Sequence, residues 1–348
     1  PFLRSSFVHW SLHSVNRAAR LPDGRVLYGG WTTIDNGLQA TVSIVDERFP
    51  ADLPPQREAI ADGVAVWNVT VLASPSAERM PQMIVGTSDG RMFACAASGE
   101  VRFEHLFTAP IGAFATVGDP LGGWLALAMR DHGVKVYDPA GTLLSDLLAD
   151  GMKTPHGLAV RPDGKRLAAI GSHDALVVWN TEDWSIVASI PLNESSGEAI
   201  AYSPDGRFLA AGTGKGVIQI WDGETHDHLR SIIGHSETVK DLVFDADGEW
   251  LASASTDRTA RLWSVADGKI AMIGKGHASQ VSTVLFTLDR KRLLTGGPDG
   301  QLLQFQILDK ISVEQTPKRS TPGLRANLAF NHGDREFPKA KASFTSPY

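Results

Sequence analysis

One stretch of the chain has the spacing of a catalytic nucleophile. Residues 86–90, Gly-Thr-Ser-Asp-Gly, match the G-x-S-x-G pattern, in which a sharp turn exposes a serine for attack on an acyl carbon. That use requires a strand before the turn and a helix after it. Here alternating apolar and polar residues stand on both sides, which indicates a turn between two strands. The sequence therefore predicts no catalytic serine at this position.

Two other stretches contain residue types that bind metal ions. His226 and His228 lie one residue apart with Asp222 and Glu224 nearby, but no further ligands with the spacing of a metal site follow. Residues 245–248, Asp-Ala-Asp-Gly, resemble the start of a calcium loop that lacks its distal glutamate. The chain has no Walker A or G-x-G-x-x-G stretch, and its single cysteine excludes a Cys₂ zinc half-site. The prediction is a chain without catalytic residues, metal ligands or cofactor.

The elements that surround these stretches recur with a period of 42 residues. Six positions in this register each end a short strand-like run: Cys95, Tyr137, Trp179, Trp221, Trp263 and Phe305. Asp-Gly turn signals keep the same interval at residues 163–164, 205–206 and 247–248. Regularly spaced short strands with such turns, and no helical periodicity, predict an all-β repeat array.

Each repeat contains four predicted strands, which is typical of a propeller blade. Six blades follow from the register, and a seventh precedes them at residues 15–46. The predicted fold is all-β, a seven-bladed β-propeller of four-stranded antiparallel blades over residues 1–317. Closing the ring removes exposed sheet edges and needs one more outer strand. A strand at about residues 5–10 and the segment 311–314 compete for that place, and we favour the N-terminal one.

Residues 234–263 closely resemble a WD40 repeat. The segment opens with Gly-His and closes with Leu-Trp, while Trp221-Asp222 has the signature dipeptide of the family. A weaker copy spans residues 276–305, and the likeness extends over roughly residues 5–315. Membership of this family implies a protein-binding propeller with a hydrogen-bonded structural tetrad inside a blade. The resemblance places that tetrad at His235, Ser253, Asp257 and Trp263.

Departures from the repeat length predict where a partner binds, because binding loops on rigid scaffolds are often additions to them. Residues 31–39 lengthen the connection between the second and third strands of the first blade, and residues 48–57 and 74–82 lengthen connections on the opposite face. The resemblance puts the first addition on the face that bears the Gly-His loops. The candidate partner-binding residues there are Trp31, Ile34, Asp35, Arg130, His132, His156, His173, Lys215 and Arg258.

Residues 318–348 form a basic C-terminal tail that contains proline and aromatic residues. Six basic and two acidic residues give it a net charge of +4, against −10 for the rest of the chain. Its candidate apolar anchors are Phe330, Phe337, Phe344 and Tyr348. Packing on the propeller and docking on a partner both remain open for this tail.

Charge and composition narrow the class of function. A formal net charge of −6 argues against binding nucleic acid through bulk electrostatics. One cysteine excludes an internal disulfide, and no apolar run is long enough for a membrane span. We therefore expect a cytoplasmic protein that binds neither nucleic acid nor membrane, and no small-molecule substrate is predicted.

The leading hypothesis is a non-catalytic scaffold that binds protein or peptide partners within a multicomponent assembly. One alternative is a propeller enzyme or small-molecule-binding protein, in which His156, Glu198, Lys240 and Asp241 converge on the central channel. The other is a recognition or sensor subunit of a bacterial multiprotein system.

Overall fold

The computed structural model describes thirteen ranges of the chain. They are residues 6–11, 14–21, 24–34, 37–46, 56–71, 83–95, 101–107, 111–117, 123–138, 142–147, 154–172, 175–192 and 196–307. Strands are the only regular elements in these ranges, which contain no helix able to cross a membrane. Residues 1–308 form one compact unit, and residues 309–348 form a second, which lies outside the described ranges.

The strands of the first four sheets follow one another along the chain. Blade 1 contains β2 (Ser14–Arg20), β3 (Val26–Ile34), β4 (Gly37–Val45) and β5 (Gln56–Asp62). Blade 2 contains β6 (Val66–Val71), β7 (Met83–Thr87), β8 (Arg91–Cys95) and β9 (Val101–Leu106). Blade 3 contains β10 (Ile111–Val117), β11 (Trp124–Met129), β12 (Gly133–Tyr137) and β13 (Leu143–Leu147). Blade 4 contains β14 (Pro155–Val160), β15 (Arg166–Gly171), β16 (Ala175–Asn180) and β17 (Ile186–Pro191).

The remaining three sheets include the one that joins the two ends of the propeller. Blade 5 contains β18 (Gly197–Tyr202), β19 (Phe208–Thr213), β20 (Val217–Asp222) and β21 (His228–Ile233). Blade 6 contains β22 (Val239–Phe244), β23 (Trp250–Ser255), β24 (Thr259–Ser264) and β25 (Ile270–Lys275). Blade 7 contains β26 (Thr283–Phe286), β27 (Arg292–Gly296), β28 (Gln301–Gln306) and the N-terminal β1 (Ser6–Ser11).

The prediction of seven four-stranded antiparallel blades is confirmed. The first strand of each blade lies beside the first strands of its two neighbours, and β26 returns to β2, so the blades close a ring around a central channel. We call the end with the strand 2–3 turns and the connections between blades the upper face. The end with the strand 1–2 and 3–4 turns is the lower face.

The core is divided into seven apolar clusters, one between each pair of adjacent blades. Between blades 5 and 6, for example, Ile218 and Val239 pack with Trp263. Between blades 7 and 1, Leu302 packs with Val15. Because each blade buries both of its faces against a neighbour, apolar burial stabilises the ring as a whole.

The N-terminal strand β1 supplies the outer strand of blade 7, pairing antiparallel with β28 from Ser6–Gln304 to Ser11–Gln301. The competing segment, residues 311–314, lies outside the described residues. The last described strand ends at Gln306, and the propeller unit ends at residue 308.

The addition to blade 1 differs from the expected loop. Trp31 pairs with Ala40 and Ile34 pairs with Gly37, so residues 31–34 and 37–40 lengthen β3 and β4. The sequence Trp-Thr-Thr-Ile has high β-propensity, which explains why the insertion extends the hairpin. Residues 31–39 are therefore mostly strand, and the earlier interpretation as a loop was wrong.

Candidate functional site

The tetrad residues of blade 6 form a continuous buried chain of hydrogen bonds. Trp263 Nε1 donates to Ser253 Oγ at 2.8 Å, and Ser253 Oγ lies 2.7 Å from His235 Nε2. His235 Nδ1 lies 2.7 Å from Asp257 Oδ2, while Asp257 Oδ1 accepts from Thr259 Oγ1 at 2.6 Å. The chain runs from the middle of the blade to its upper turn, and this burial leaves no room for a substrate beside Ser253.

The protonation states in this chain follow from burial and charge. Burial lowers the pKa of His235 despite the nearby Asp257 carboxylate, so the imidazole is neutral at physiological pH. Burial opposes ionisation of Asp257, but hydrogen bonds from His235 and Thr259 outweigh it and lower the pKa of that carboxyl. The consistent arrangement has His235 Nδ1–H donating to Asp257 and Ser253 Oγ–H donating to His235 Nε2. We call this hydrogen-bonded chain of Trp263, Ser253, His235 and Asp257 the relay of blade 6.

Blade 7 contains a shortened version of the same relay. His277 Nδ1 lies 3.0 Å from Asp299 Oδ2, and His277 Nε2 lies 2.8 Å from Thr295 Oγ1. Phe305 stands where Trp263 stands in blade 6, so no indole N–H extends the chain. The substitution seen in the sequence thus removes one link and keeps the other two.

A second polar cluster lies in the channel wall, near the upper face. Glu198 Oε2 accepts from Lys240 Nζ at 3.0 Å, and Glu198 Oε1 lies 3.4 Å from His156 Nδ1. On its other side, His156 Nε2 lies 3.4 Å from Ser172 Oγ. We call His156, Glu198 and Lys240 the channel triad; it spans the first strands of blades 4, 5 and 6.

Backbone irregularities put the triad at one level of the channel. His156, Glu198 and Lys240 are each the extra residue where the pairing of the first two strands shifts register. Such bulges redirect a side chain without ending the strand. The three residues are 42 positions apart, and that interval is the sequence signal that would have revealed the arrangement.

The triad is an ion-pair network centred on the Glu198 carboxylate. Burial opposes ionisation of Glu198, but the contact with His156 and the charge of Lys240 outweigh it and hold its pKa at about 2. A carboxylate with so low a pKa is a weak base at neutral pH, so Glu198 is poorly suited to general acid–base catalysis.

Asp241 does not join the triad; it pairs with a residue that sequence reasoning missed. Arg17 NH1 lies 2.8 Å from Asp241 Oδ1 and also donates to the Lys240 carbonyl at 3.2 Å. Asp241 Oδ2 accepts from Thr283 Oγ1 at 2.9 Å and from Val284 N at 3.0 Å. No local pattern marks Arg17, because its partner is in the sixth blade.

The candidate partner-binding residues occupy different environments. Arg130, His132, Lys215 and Arg258 are exposed on strand 2–3 turns of the upper face. Trp31 is half-buried within β3, whereas His156 belongs to the channel triad. The side chain of Ile34, together with Asp35, His173, Phe330, Phe337, Phe344 and Tyr348, lies outside the described residues.

Arg258 is notable for its backbone. Its φ of +65° is in the left-handed region that favours glycine. Gly216 and Gly300 occupy the same turn position in the neighbouring blades, with φ of +77° and +72°. Blade 6 therefore has a charged side chain at a position where the backbone conformation favours glycine.

The metal-binding interpretations gain no geometric support among the described residues. His228 Nε2 lies 3.0 Å from Ser231 Oγ on the outer strand, and the His226 Nε2 atom is buried without a hydrogen-bond partner. Within the described ranges, no group of three or more histidine, cysteine, aspartate or glutamate side chains could hold a metal ion.

Comparison with known proteins agrees with this geometry. The family model "WD domain, G-beta repeat" matches residues 197–222 and 226–264. The first match contains the first three strands of blade 5, and the second contains the outer strand of blade 5 and the first three strands of blade 6. Among solved structures, Sqt1 of Chaetomium thermophilum, bound to the N-terminus of the ribosomal protein L10, has a TM-score of 0.67. It is 20% identical in sequence, and the match covers 87% of this chain and 100% of that one. No curated protein matches the chain. The chain therefore contains sequences that match the WD40 repeat at residues 197–222 and 226–264, and it is built as a seven-bladed propeller.

Proposed function

We propose that this chain is a non-catalytic binding protein that holds an acidic protein or peptide segment on its upper face, as part of a larger assembly. The observation that carries the proposal is the left-handed backbone conformation of the exposed Arg258. An ordinary residue in the left-handed region costs about 1–2 kcal/mol relative to a relaxed backbone. Strain kept at an exposed turn, where neighbouring blades have glycine, is typical of a functional position.

The surroundings of Arg258 support this proposal. Arg130 is exposed at the corresponding turn of blade 3, and within the described ranges neither of these two guanidinium groups forms an ion pair. Exposed arginines form charge-assisted, often bidentate, hydrogen bonds with carboxylates and are enriched in binding hot spots. An acidic segment is the partner that such a surface would recognise.

The related structure supports a protein segment as the partner. Sqt1 was solved bound to the N-terminus of the ribosomal protein L10, which shows that a propeller of this shape can hold a terminal peptide. A single cysteine, Cys95, is compatible with the reducing cytoplasm that we propose as the location. The same proposal assigns residues 318–348 as a second docking segment, because they are basic and contain aromatic residues.

The test is partner capture by the immobilised full-length chain from a lysate of the source organism. Arg258→Gly removes the upper-face side chain, and Arg290→Gly is the matched control, because Arg290 also has a left-handed φ, of +58°, but lies on the lower face. We expect Arg258→Gly to lose the partner and Arg290→Gly to retain it. Equal capture by both variants, or no saturable partner at all, would contradict the proposal.

The channel triad favours a second candidate function, the binding of a small molecule at the upper mouth of the channel. His156 and Lys240 each lie within contact distance of Glu198, so three of the four residues named in that alternative come together. Their mutual neutralisation favours a structural network over a catalytic one. A small molecule from the same lysate that co-purifies with the wild type, but not with Lys240→Met, would move this candidate ahead.

A further inference from the structure

A polar cluster on the lower face is not explained by the binding function proposed above. Arg161 directly follows the first strand of blade 4, and Arg166 begins the second strand, on the other side of the turn between them. Tyr202 ends the first strand of blade 5, while Glu224 and His226 lie in the strand 3–4 turn of that blade. We call these five residues the lower-face cluster.

Two guanidinium groups in the cluster share one carboxylate. Arg161 NH1 donates to Glu224 Oε2, and Arg166 NH2 lies 3.7 Å from Glu224 Oε1. The arginine side chains are only 17% and 20% exposed, whereas Glu224 is 58% exposed. The cations are therefore fixed by the fold, and the anion between them is the most accessible member.

Three buried atoms around this pair have no hydrogen-bond partner: Arg166 Nε, Tyr202 Oη and His226 Nε2. Burial raises the pKa of Tyr202, so its hydroxyl remains a donor. Burial, together with the charges of Arg166 and Arg161, lowers the pKa of His226, which leaves a neutral ring able to donate from one nitrogen. Unpaired buried donors are costly and call for an explanation.

The repeat does not require this cluster. The residues that follow Arg161 at the 42-residue interval are Ser203, Asp245 and Thr287, which form local turn contacts in their own blades. Only Arg161 reaches from its turn to the next blade's strand 3–4 turn among these four positions. The contact between Arg161 and Glu224 is therefore not a requirement of the repeated blade structure.

We propose that the lower-face cluster is a binding site for a phosphate-class oxyanion, with Glu224 occupying the place of the ligand when it is absent. A carboxylate has two oxygens, and Glu224 already uses both on the arginines. A phosphate group brings at least three acceptor oxygens, so it can pair with both guanidinium groups and also satisfy the unpartnered donors. Glu224 turns outward into solvent as the ligand enters.

The main test is calorimetric titration of the full-length chain with inorganic phosphate at constant ionic strength. Glu224→Gln removes the competing charge, and we expect it to tighten phosphate binding about tenfold. Glu182→Gln is the matched control, because Glu182 occupies the same turn position one blade earlier. Equal phosphate affinity in these two variants, or no phosphate binding by Glu224→Gln, would overturn the proposal.

A second variant separates ligand binding from structure. Tyr202→Phe deletes a hydroxyl that has no partner, so we expect an equal or higher melting temperature and about fivefold weaker phosphate binding. A loss of stability without a change in phosphate affinity would mean that the hydroxyl is structural, and would overturn its assignment to the site. Titration with O-phosphoserine distinguishes the sources: tighter binding than inorganic phosphate indicates an esterified phosphoryl group, and weaker binding indicates the free ion.

Discussion

Arg17 of blade 1 and Asp241 of blade 6 form an ion pair that bridges the first strand of blade 7, with a distance of 2.8 Å between Arg17 NH1 and Asp241 Oδ1. The bridged strand also donates to Asp241, through Thr283 Oγ1 and Val284 N. One carboxylate therefore joins three consecutive blades. Two of them flank the blade in which the N-terminal strand closes the ring.

We predict that Asp241→Asn lowers the free energy of unfolding by about 2–3 kcal/mol, because it leaves a largely buried guanidinium without its counter-ion. Asp247→Asn is the control, since it disrupts the exposed pair with Arg290 on the lower face. That control is expected to change stability by less than about 0.5 kcal/mol. Urea unfolding measures the free energy of unfolding of the two variants. Equal decreases in both would show that Asp241 does not hold the ring closed.

The relays of blades 6 and 7 differ in how many partners their hydroxyl serves. Ser253→Ala orphans both the Trp263 indole N–H and His235 Nε2, and is predicted to cost about 2–4 kcal/mol. Thr295→Val leaves one orphan, His277 Nε2, and is predicted to cost about 1–2 kcal/mol. Both changes nearly conserve shape, so chemical denaturation compares the lost hydrogen bonds directly. A larger loss for Thr295→Val would refute the relay as described.

The buried histidines predict how stability depends on pH. Burial lowers the pKa of His235 and His277 in the folded chain, whereas the unfolded value is about 6.5. Their stabilising contribution is complete above pH 6.5 and declines as the pH falls below it, because only the unfolded chain then takes up protons. The slope approaches about 1.4 kcal/mol per pH unit for each such histidine.

Chemical denaturation between pH 7 and 5 measures this slope of the free energy of unfolding. The lowered pKa of Asp257 does not affect the slope in that range, because it changes stability only as the pH falls below the unfolded value of 3.8. His277→Gln should flatten the profile, because it removes one of the two buried imidazoles with a lowered pKa. An unaltered slope in His277→Gln would mean that this imidazole is protonated alike in both states.

The channel triad contributes to stability at neutral pH. Glu198→Gln leaves Lys240 and His156 without their shared carboxylate, and we expect a loss of about 1–2 kcal/mol at pH 7. Because the folded pKa of Glu198 is about 2 and its ordinary value is 4.5, the deficit should shrink as the pH falls from 4.5 towards 2. Glu237→Gln, at an exposed upper-face residue, is the control in thermal unfolding across this range. A deficit independent of pH would argue against an ionised Glu198.

The strained arginines predict substitutions that stabilise the chain. Arg258→Gly relieves the strain of the left-handed backbone in the folded chain, but it also adds conformational entropy to the unfolded chain. We expect the relief of strain to be larger, so that the free energy of unfolding rises by about 0.5 kcal/mol. Arg290→Gly should gain less, because it also loses the ion pair with Asp247. Calorimetric melting temperatures measure both changes, and a marked loss in Arg258→Gly would mean that its side chain supports the fold rather than a partner.

The sequence predicted the blades because their signals are local and repeated. The interval shared by Trp179, Trp221 and Trp263 specifies one strand of each blade, and the Asp-Gly turns specify the hairpins. The choice between two closing segments could not be made that way, because both have alternating patterns. Only the pairing of Ser6 with Gln304 distinguishes them.

The candidate sites were less predictable for a different reason. A bulge moves a side chain by one residue and shifts the period of two that identifies strands, so the strand pattern does not show that Asp241 is left out of the triad. The expected convergence of His156, Glu198 and Lys240 is indicated by their 42-residue interval instead. The partnership of Arg17 with Asp241 depends on which blades become neighbours when the ring closes. The extension of β3 and β4 shows the opposite error, since a departure from repeat length was interpreted as a loop when its residues favour strand.

The pairing of β1 with β28 has a consequence for biosynthesis. A ribosome releases Ser6 long before Gln304, and the loop between them, roughly 300 residues, makes this one of the most distant contacts in the chain. Blades 1 to 6 are complete in sequence before the last strand emerges, whereas blade 7 must wait with an open edge. The nascent chain therefore carries β1 as an unpaired strand of blade 7 until the other three strands of that blade have been synthesised.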